Sequence, residues 1–104
     1  MDHEALLRRV RLLLGNAFGQ RLRGMVLYGS EARGEAREDS DIDFLVLLEG
    51  PVDHSSDSRR CIRALYDLVL ELERPIHAKP VDVKRYETQA LPLYRRARQE
   101  GILT

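Results

Sequence analysis

The sequence predicts an α/β (α+β) domain in which a small mixed sheet of three or four strands carries helices on one face. Segments with apolar residues at helical spacing alternate along the chain with short apolar runs bounded by turn residues. The chain has 104 residues and shows no internal repeat or linker, so residues 1–104 are expected to form one domain. The uncovered face of the sheet would be open to a ligand.

The N-terminal third is predicted to form a helix followed by a strand. Residues 3–18 form the helix, with Asp2 as its N-cap. Its apolar positions recur at helical spacing: Leu6, Val10, Leu13 and Ala17. Residues 23–29 are apolar and aromatic and end in Gly29, which is typical of a strand that closes in a turn.

The remaining elements complete the alternation. A short helix is predicted from Ser30, which fits an N-cap, and a strand over residues 42–48. A long helix over residues 57–73 places Cys61 on its apolar face, which favours core packing over a reactive thiol. The last elements are an irregular edge strand that contains Pro80 and a helix that begins at Pro92.

Charge and cysteine content narrow the class of protein. There are 17 Lys and Arg residues against 17 Asp and Glu residues, so the net charge favours no nucleic-acid partner. A single cysteine excludes an internal disulfide and is ordinary in a reducing cytosol. The apolar runs are too short to span a bilayer, and the charged N-terminus lacks the apolar core of a secretion signal. We expect a cytoplasmic protein without direct membrane or nucleic-acid binding.

Asp41 and Asp43 stand one residue apart at the start of the predicted strand 42–48. Side chains alternate along a strand, so both carboxylates point to one face while Ile42 and Phe44 point to the core. Two like charges this close raise each other's pKa or bind a cation, and paired oxygen donors suit Mg²⁺. Two carboxylates can also bridge two metal ions. Alone, an Asp-x-Asp pair near a strand is more often structural.

Gly29-Ser30 is a complementary feature upstream of the Asp pair. Glycine lets the backbone approach a phosphate, and a helix that starts at Ser30 presents free N–H groups. Together the two elements predict a site for a metal ion and a nucleoside triphosphate. Arg33, in the short helix, is a candidate phosphate ligand. Its alternative role is an ion pair with an acidic neighbour: Glu35, Glu38 or Asp39.

The order of these motifs resembles a known family. Gly29-Ser30, ten intervening residues and Asp41-x-Asp43 match the signature of the DNA polymerase β-type nucleotidyltransferase superfamily. Within it, "YGSEARGEAREDSDIDFLVLL" is most similar to the minimal nucleotidyltransferases, the MNT proteins of prokaryotes. The resemblance implies the polymerase β-like fold, ATP as a substrate and one or two Mg²⁺ ions.

The resemblance further implies a third carboxylate on a later strand, which acts as a metal ligand or as general base for the attacking hydroxyl. Asp82 is the candidate, because Val81 and Val83 would face the core while Asp82 faces the site. The predicted catalytic and metal-binding set is therefore Asp41, Asp43 and Asp82. The histidines show no ligand spacing and are assigned no metal: His3, His54 and His77.

The reaction implied by the resemblance is transfer of AMP from ATP to a hydroxyl. A chain of 104 residues leaves no room for an acceptor domain, so the acceptor would come from another chain or from a second copy in a homo-oligomer. MNT proteins are commonly paired with HEPN-type RNase toxins. The expected function is thus an antitoxin that adenylylates a tyrosine of a HEPN partner. The alternatives are a binding module that neutralises its partner by contact, and a small-molecule nucleotidyltransferase.

Overall fold

A computed structural model describes residues 2–37 and 39–104. The predicted alternation of helices and strands is confirmed, with one short helix and one short strand in addition. No described helix combines the length and apolar character that a membrane span needs. In chain order the elements are α1 (His3–Phe18), a 3-10 turn (Gly19–Arg21), β1 (Leu22–Tyr28), α2 (Gly29–Ala32), β2 (Ile42–Leu48), α3 (His54–Leu72), β3 (Ile76–Asp82), α4 (Val83–Glu87), α5 (Pro92–Glu100) and β4 (Ile102–Leu103).

The four strands form one mixed sheet in the order β3-β2-β1-β4. β1 is antiparallel to both β2 and β4, whereas β2 and β3 are parallel. Helix α3 makes the crossover that a parallel pair requires. β3 lies at an edge of the sheet, as Pro80 predicts, because proline cannot donate to a further strand.

One face of the sheet packs against α1 and α3. The N-caps are Asp2, as predicted, and Asp53, so α3 begins three residues before the predicted start. Cys61 is buried in this layer, and burial raises the pKa of its thiol to about 12, which confirms its role in the core. Each large apolar side chain buried here contributes about 1.5–3 kcal/mol. β2 contributes every second residue: Ile42, Phe44, Val46 and Leu48.

The opposite face is also covered over most of its area, in contrast to the prediction of a one-sided sheet. α4 and α5 pack there through Tyr86 and Tyr94, whose ring centroids lie 6.2 Å apart. The cause is β2 itself, because Leu45 and Leu47 alternate with the other core residues and also need cover. Burial on this face decreases toward the end of the sheet that carries Asp43.

Candidate functional site

The turn from β1 into α2 lies directly beside the start of β2. Tyr28, the last residue of β1, pairs with Asp43 across the antiparallel ladder. Gly29 follows with a positive φ of 76°, and a Cβ built on it would lie 2.9 Å from Asp43 Oδ2. Any side chain at position 29 would therefore push against the carboxylate. The structure thus brings Gly29 and Asp43 together, as the sequence predicts.

Ser30 lies inside α2 and is not its N-cap. The helix begins one residue earlier, at Gly29, and the N-cap position is taken by Tyr28 without a side-chain hydrogen bond. Ser30 is partly exposed, and its backbone carbonyl accepts a hydrogen bond of 2.9 Å from the N–H of Glu35. Ser30 therefore lies next to the Gly29 turn beside Asp43, but it does not cap the helix, so the predicted capping role is wrong.

Asp41 and Asp43 form a carboxylate pair at the open end of the sheet. The Asp41 side chain is 53% exposed, whereas Asp43 is half-buried. Burial raises the pKa of Asp43, His77 lowers it and the negative charge of Asp41 raises it further. Burial and the charge of Asp43 also raise the pKa of Tyr28. In the described part of the chain no Lys or Arg pairs with either carboxylate, so the pair favours a cation from solution.

His77 is a site residue that the sequence analysis missed. It pairs with Asp43 in the parallel ladder between β2 and β3, so both side chains leave the same face. Its Nε2 lies 2.9 Å from Asp41 Oδ2. One signal could have found it. Neighbouring parallel strands begin at the same edge of a sheet, so a polar residue near the start of β3, such as His77, is expected to lie near the start of β2.

Asp82 does not join this cluster, and the prediction that placed it there is wrong. It pairs with Leu48 at the opposite end of β2. Asp82 lies five residues beyond His77, which corresponds to about 16 Å of strand, and the odd spacing turns its side chain to the other face. The carboxylate instead caps α4, accepting a hydrogen bond of 2.9 Å from the N–H of Lys84.

Arg33 directly follows α2, but its guanidinium binds carboxylates. It donates to Glu35 at 3.1 Å, which is one of the predicted ion pairs, and to Glu100 at 3.2 Å. Both pairs are partly exposed, and water weakens ion pairs of this kind. The structure leaves Arg33 near the site without a contact to Asp41 or Asp43.

A buried ion pair fixes the backbone around the site. Arg74 donates to Glu31 at 2.8 Å and to the carbonyl of Ser40 at 2.9 Å, so it joins α2 to the segment that precedes Asp41. The hydrogen bond from Arg74 holds the pKa of Glu31 below its usual value. This pair could not be predicted from sequence, because nothing in the local pattern around Arg74 distinguishes it from the other arginines.

The side chains fit a divalent cation through their donor chemistry. The imidazole of His77 leaves the same face of the sheet as Asp43 and contacts the carboxylate of Asp41. Within residues 2–37 and 39–104, no three His, Cys, Asp or Glu side chains already surround a common metal position. Asp41 and Asp43 are the residues that would hold the ion, and their side chains would have to rearrange to share it.

Comparison with known proteins agrees with this geometry. A family model described as "Nucleotidyltransferase domain" matches residues 7–102. No curated protein matches the chain significantly. A crystal structure of a toxin–antitoxin with AMP-PNP superimposes with a TM-score of 0.68, at 19% identity over 92% of this chain and 69% of that chain. A Tyr-to-Ala mutant of the toxin–antitoxin MntA–HpeT gives a TM-score of 0.61, at 16% identity over 100% of this chain and 72% of that chain.

At these identities the two solved structures establish the fold alone. They confirm the mixed α/β nucleotidyltransferase architecture that the motif order predicts. The family model covers almost the whole chain and includes both the Gly29-Ser30 turn and the Asp41–Asp43 pair. The chain therefore belongs to the nucleotidyltransferase domain family.

Proposed function

We propose that this protein transfers AMP from ATP to a hydroxyl, most specifically a tyrosine hydroxyl, of a partner protein, and so acts as the antitoxin of a HEPN-type RNase toxin. The observation that carries the proposal is the Asp41–Asp43 pair, which lacks a Lys or Arg partner in the described residues and lies against Gly29. Family membership supports the transferase chemistry. The toxin–antitoxin nature of both similar structures supports the biological role.

The residues of this chain would act by holding and aligning the reactants. Asp41 and Asp43 would bind the divalent cation, which when bound neutralises charge on the phosphates. Gly29 lets the backbone of the turn lie close to the Asp43 carboxylate, where a Cβ would not fit, and Ser30 and Arg33 offer donors in and just after α2. Asp41 is half-exposed, so an acceptor from another chain can reach the site.

The transfer itself forms one bond and breaks one. The acceptor oxygen bonds to the α-phosphorus, the bond from that phosphorus to the pyrophosphate oxygen breaks, and the hydroxyl proton passes to solvent. The protein contributes orientation and electrostatic stabilisation, which is where catalysis of phosphoryl-type transfers mainly resides. Asp82 has no part in this mechanism, since it lies at the opposite end of the sheet.

Incubation with α-labelled ATP, the HEPN-type product of a neighbouring gene and either Mg²⁺ or Mn²⁺ tests the proposal. The expected result is label on the partner with the wild-type protein and none with the double variant Asp41→Asn/Asp43→Asn. Equal label, or no label, with both proteins would contradict AMP transfer. Peptide mapping of the labelled partner then identifies the acceptor residue.

Neutralisation by contact is a second candidate, favoured by apolar residues on the outside of α3. Ile62, Tyr66 and Leu70 are each more than half exposed and follow one another at four-residue spacing. Near the C-terminus, Leu103 is exposed as well, whereas Tyr94 is buried in the core. If the double variant Asp41→Asn/Asp43→Asn still rescues growth from the toxin, contact is sufficient. If rescue is lost with the label, catalysis is required.

A further inference from the structure

His77 is the third polar side chain at the Asp41–Asp43 end of the sheet. It is 60% exposed and therefore accessible from solution. Its ladder position opposite Asp43 is fixed by the hydrogen-bonded register of β2 and β3, which continues over seven residue pairs. The imidazole is thus placed by the sheet and not by a mobile loop.

The spacing of the donor atoms matches that of adjacent ligands on a metal ion. His77 Nε2 and Asp41 Oδ2 lie 2.9 Å apart. An octahedral ion with ligand bonds of about 2.1 Å holds neighbouring donors about 3.0 Å apart. A cation can therefore replace the hydrogen that His77 and Asp41 now share. Asp43 is near enough to both groups for their charges to act on it.

We propose that His77 is a direct ligand of the cation at the Asp41–Asp43 site, and that this nitrogen donor shifts the preference of the site from Mg²⁺ toward first-row transition-metal ions. Mg²⁺ takes oxygen ligands almost exclusively, whereas imidazole binds transition-metal ions well. The inference rests on the proposed function, since it assumes that this site binds a metal–nucleotide complex. It concerns the identity of the ion, which the proposed function leaves open among divalent cations.

Mn²⁺ is the probe that reports direct ligation. Wild-type protein is mixed with Mn²⁺ and α,β-methylene-ATP, and electron paramagnetic resonance counts the bound ion. Electron spin-echo envelope modulation then detects nitrogen within the coordination sphere. Labelling the histidines with ¹⁵N separates imidazole nitrogen from the nitrogens of adenine. The expected result is an imidazole coupling in the wild type that is absent from His77→Asp.

Competition with Mg²⁺ measures the preference. Even partners outside the coordination sphere change metal affinity by about 10–100-fold. In His77→Asp, the Mg²⁺ concentration that displaces half of the bound Mn²⁺ should therefore be at least about tenfold lower than in the wild type. His54→Asp is the control for the second histidine that lines the same pocket as His77: it makes the same change of charge at the exposed first residue of α3, so a coupling that persists in it does not come from His54. This control should keep the wild-type coupling and the wild-type competition curve.

The outcomes separate the inference from the proposed function. Binding of Mn²⁺ with the nucleotide but without imidazole coupling, and with an unchanged competition curve in His77→Asp, overturns the role of His77 and leaves the proposed function standing. Failure to bind Mn²⁺ even with the nucleotide overturns both. Circular dichroism of His77→Asp confirms that any loss of coupling comes from a folded protein.

Discussion

Carboxylates in this protein fall into two groups, one with and one without an arginine partner, and their pKa values shift in opposite directions. Glu31 and Asp57 are buried, and each is held by an arginine: Arg74 donates to Glu31, and Arg21 donates to both oxygens of Asp57 at 3.0 Å. Arginine lowers the pKa of both. Asp43 has a raised pKa instead, because its burial is not offset by an arginine.

The difference separates carboxylates that stabilise the fold from carboxylates that are available for function. A buried carboxylate without a hydrogen-bonded cation costs folding free energy. Asp43, which is half-buried, is retained at part of such a cost, and a cation from solution is what would offset it. Substitutions in the first group should therefore change stability, and substitutions in the second group should change activity.

The largest expected effect is on catalysis. Asp43→Asn should lower AMP transfer by at least about 100-fold, because it removes a ligand of the cation, while the free energy of unfolding stays the same or rises. Rates with labelled ATP and urea unfolding measure the two quantities. Asp82→Asn is the matched control and should retain activity, since asparagine also caps a helix well. Equal loss in both variants would return Asp82 to the site.

The second effect concerns stability alone. Asp57→Asn should lower the free energy of unfolding by about 1–3 kcal/mol, because it leaves Arg21 without its bidentate partner. The value lies below that of a fully buried pair because the Arg21 side chain is 37% exposed to water. Urea unfolding measures it. Transfer activity per folded molecule should be unchanged, and a selective loss of activity would contradict the distinction.

A third and smaller effect comes from Gly29. Gly29→Ala forces a side chain into a positive φ of 76° and against Asp43 Oδ2, so it should cost about 1–2 kcal/mol of stability and weaken Mn²⁺ binding. Gly15→Ala is the control, because Gly15 lies within α1 and has open space around its Cα. It should stabilise the protein by about 0.5–1 kcal/mol. Unchanged Mn²⁺ binding in Gly29→Ala would show that the close approach has no role in the site.

The extent to which these features follow from sequence differs from residue to residue. Asp41, Asp43 and Gly29 were predicted because local rules place them: strand alternation, and a turn that only glycine tolerates. Asp82 was misplaced, and the position of His77 opposite Asp43 was not foreseen, because both depend on the register between β2 and β3, which is a nonlocal property. The cover that α4 and α5 give the second face depends likewise on how distant segments pack.

The smallest effect is the pH dependence, and its sign distinguishes the two groups. Glu31 and Asp57 have folded-state pKa values below their ordinary values of 4.5 and 3.8. Their stabilisation is therefore fully present above those values and is lost as the pH falls through the folded pKa. Asp43 has a folded-state pKa above its ordinary 3.8. Its contribution is thus present below 3.8 and is lost as the pH rises through the folded pKa.

Urea unfolding of the wild type, Asp57→Asn and Asp43→Asn between pH 3 and pH 7 tests this contrast. Asp57→Asn should be less stable than the wild type near neutral pH, and the difference should shrink on acidification. Asp43→Asn should show the opposite behaviour. Its free energy of unfolding should exceed that of the wild type most near neutral pH, where Asp43 is charged in the wild type. Saturating Mn²⁺ should remove this difference in stability, since the ion offsets the charge of Asp43 in the wild type. Parallel curves for the two variants would mean that Asp43 is an ordinary structural carboxylate.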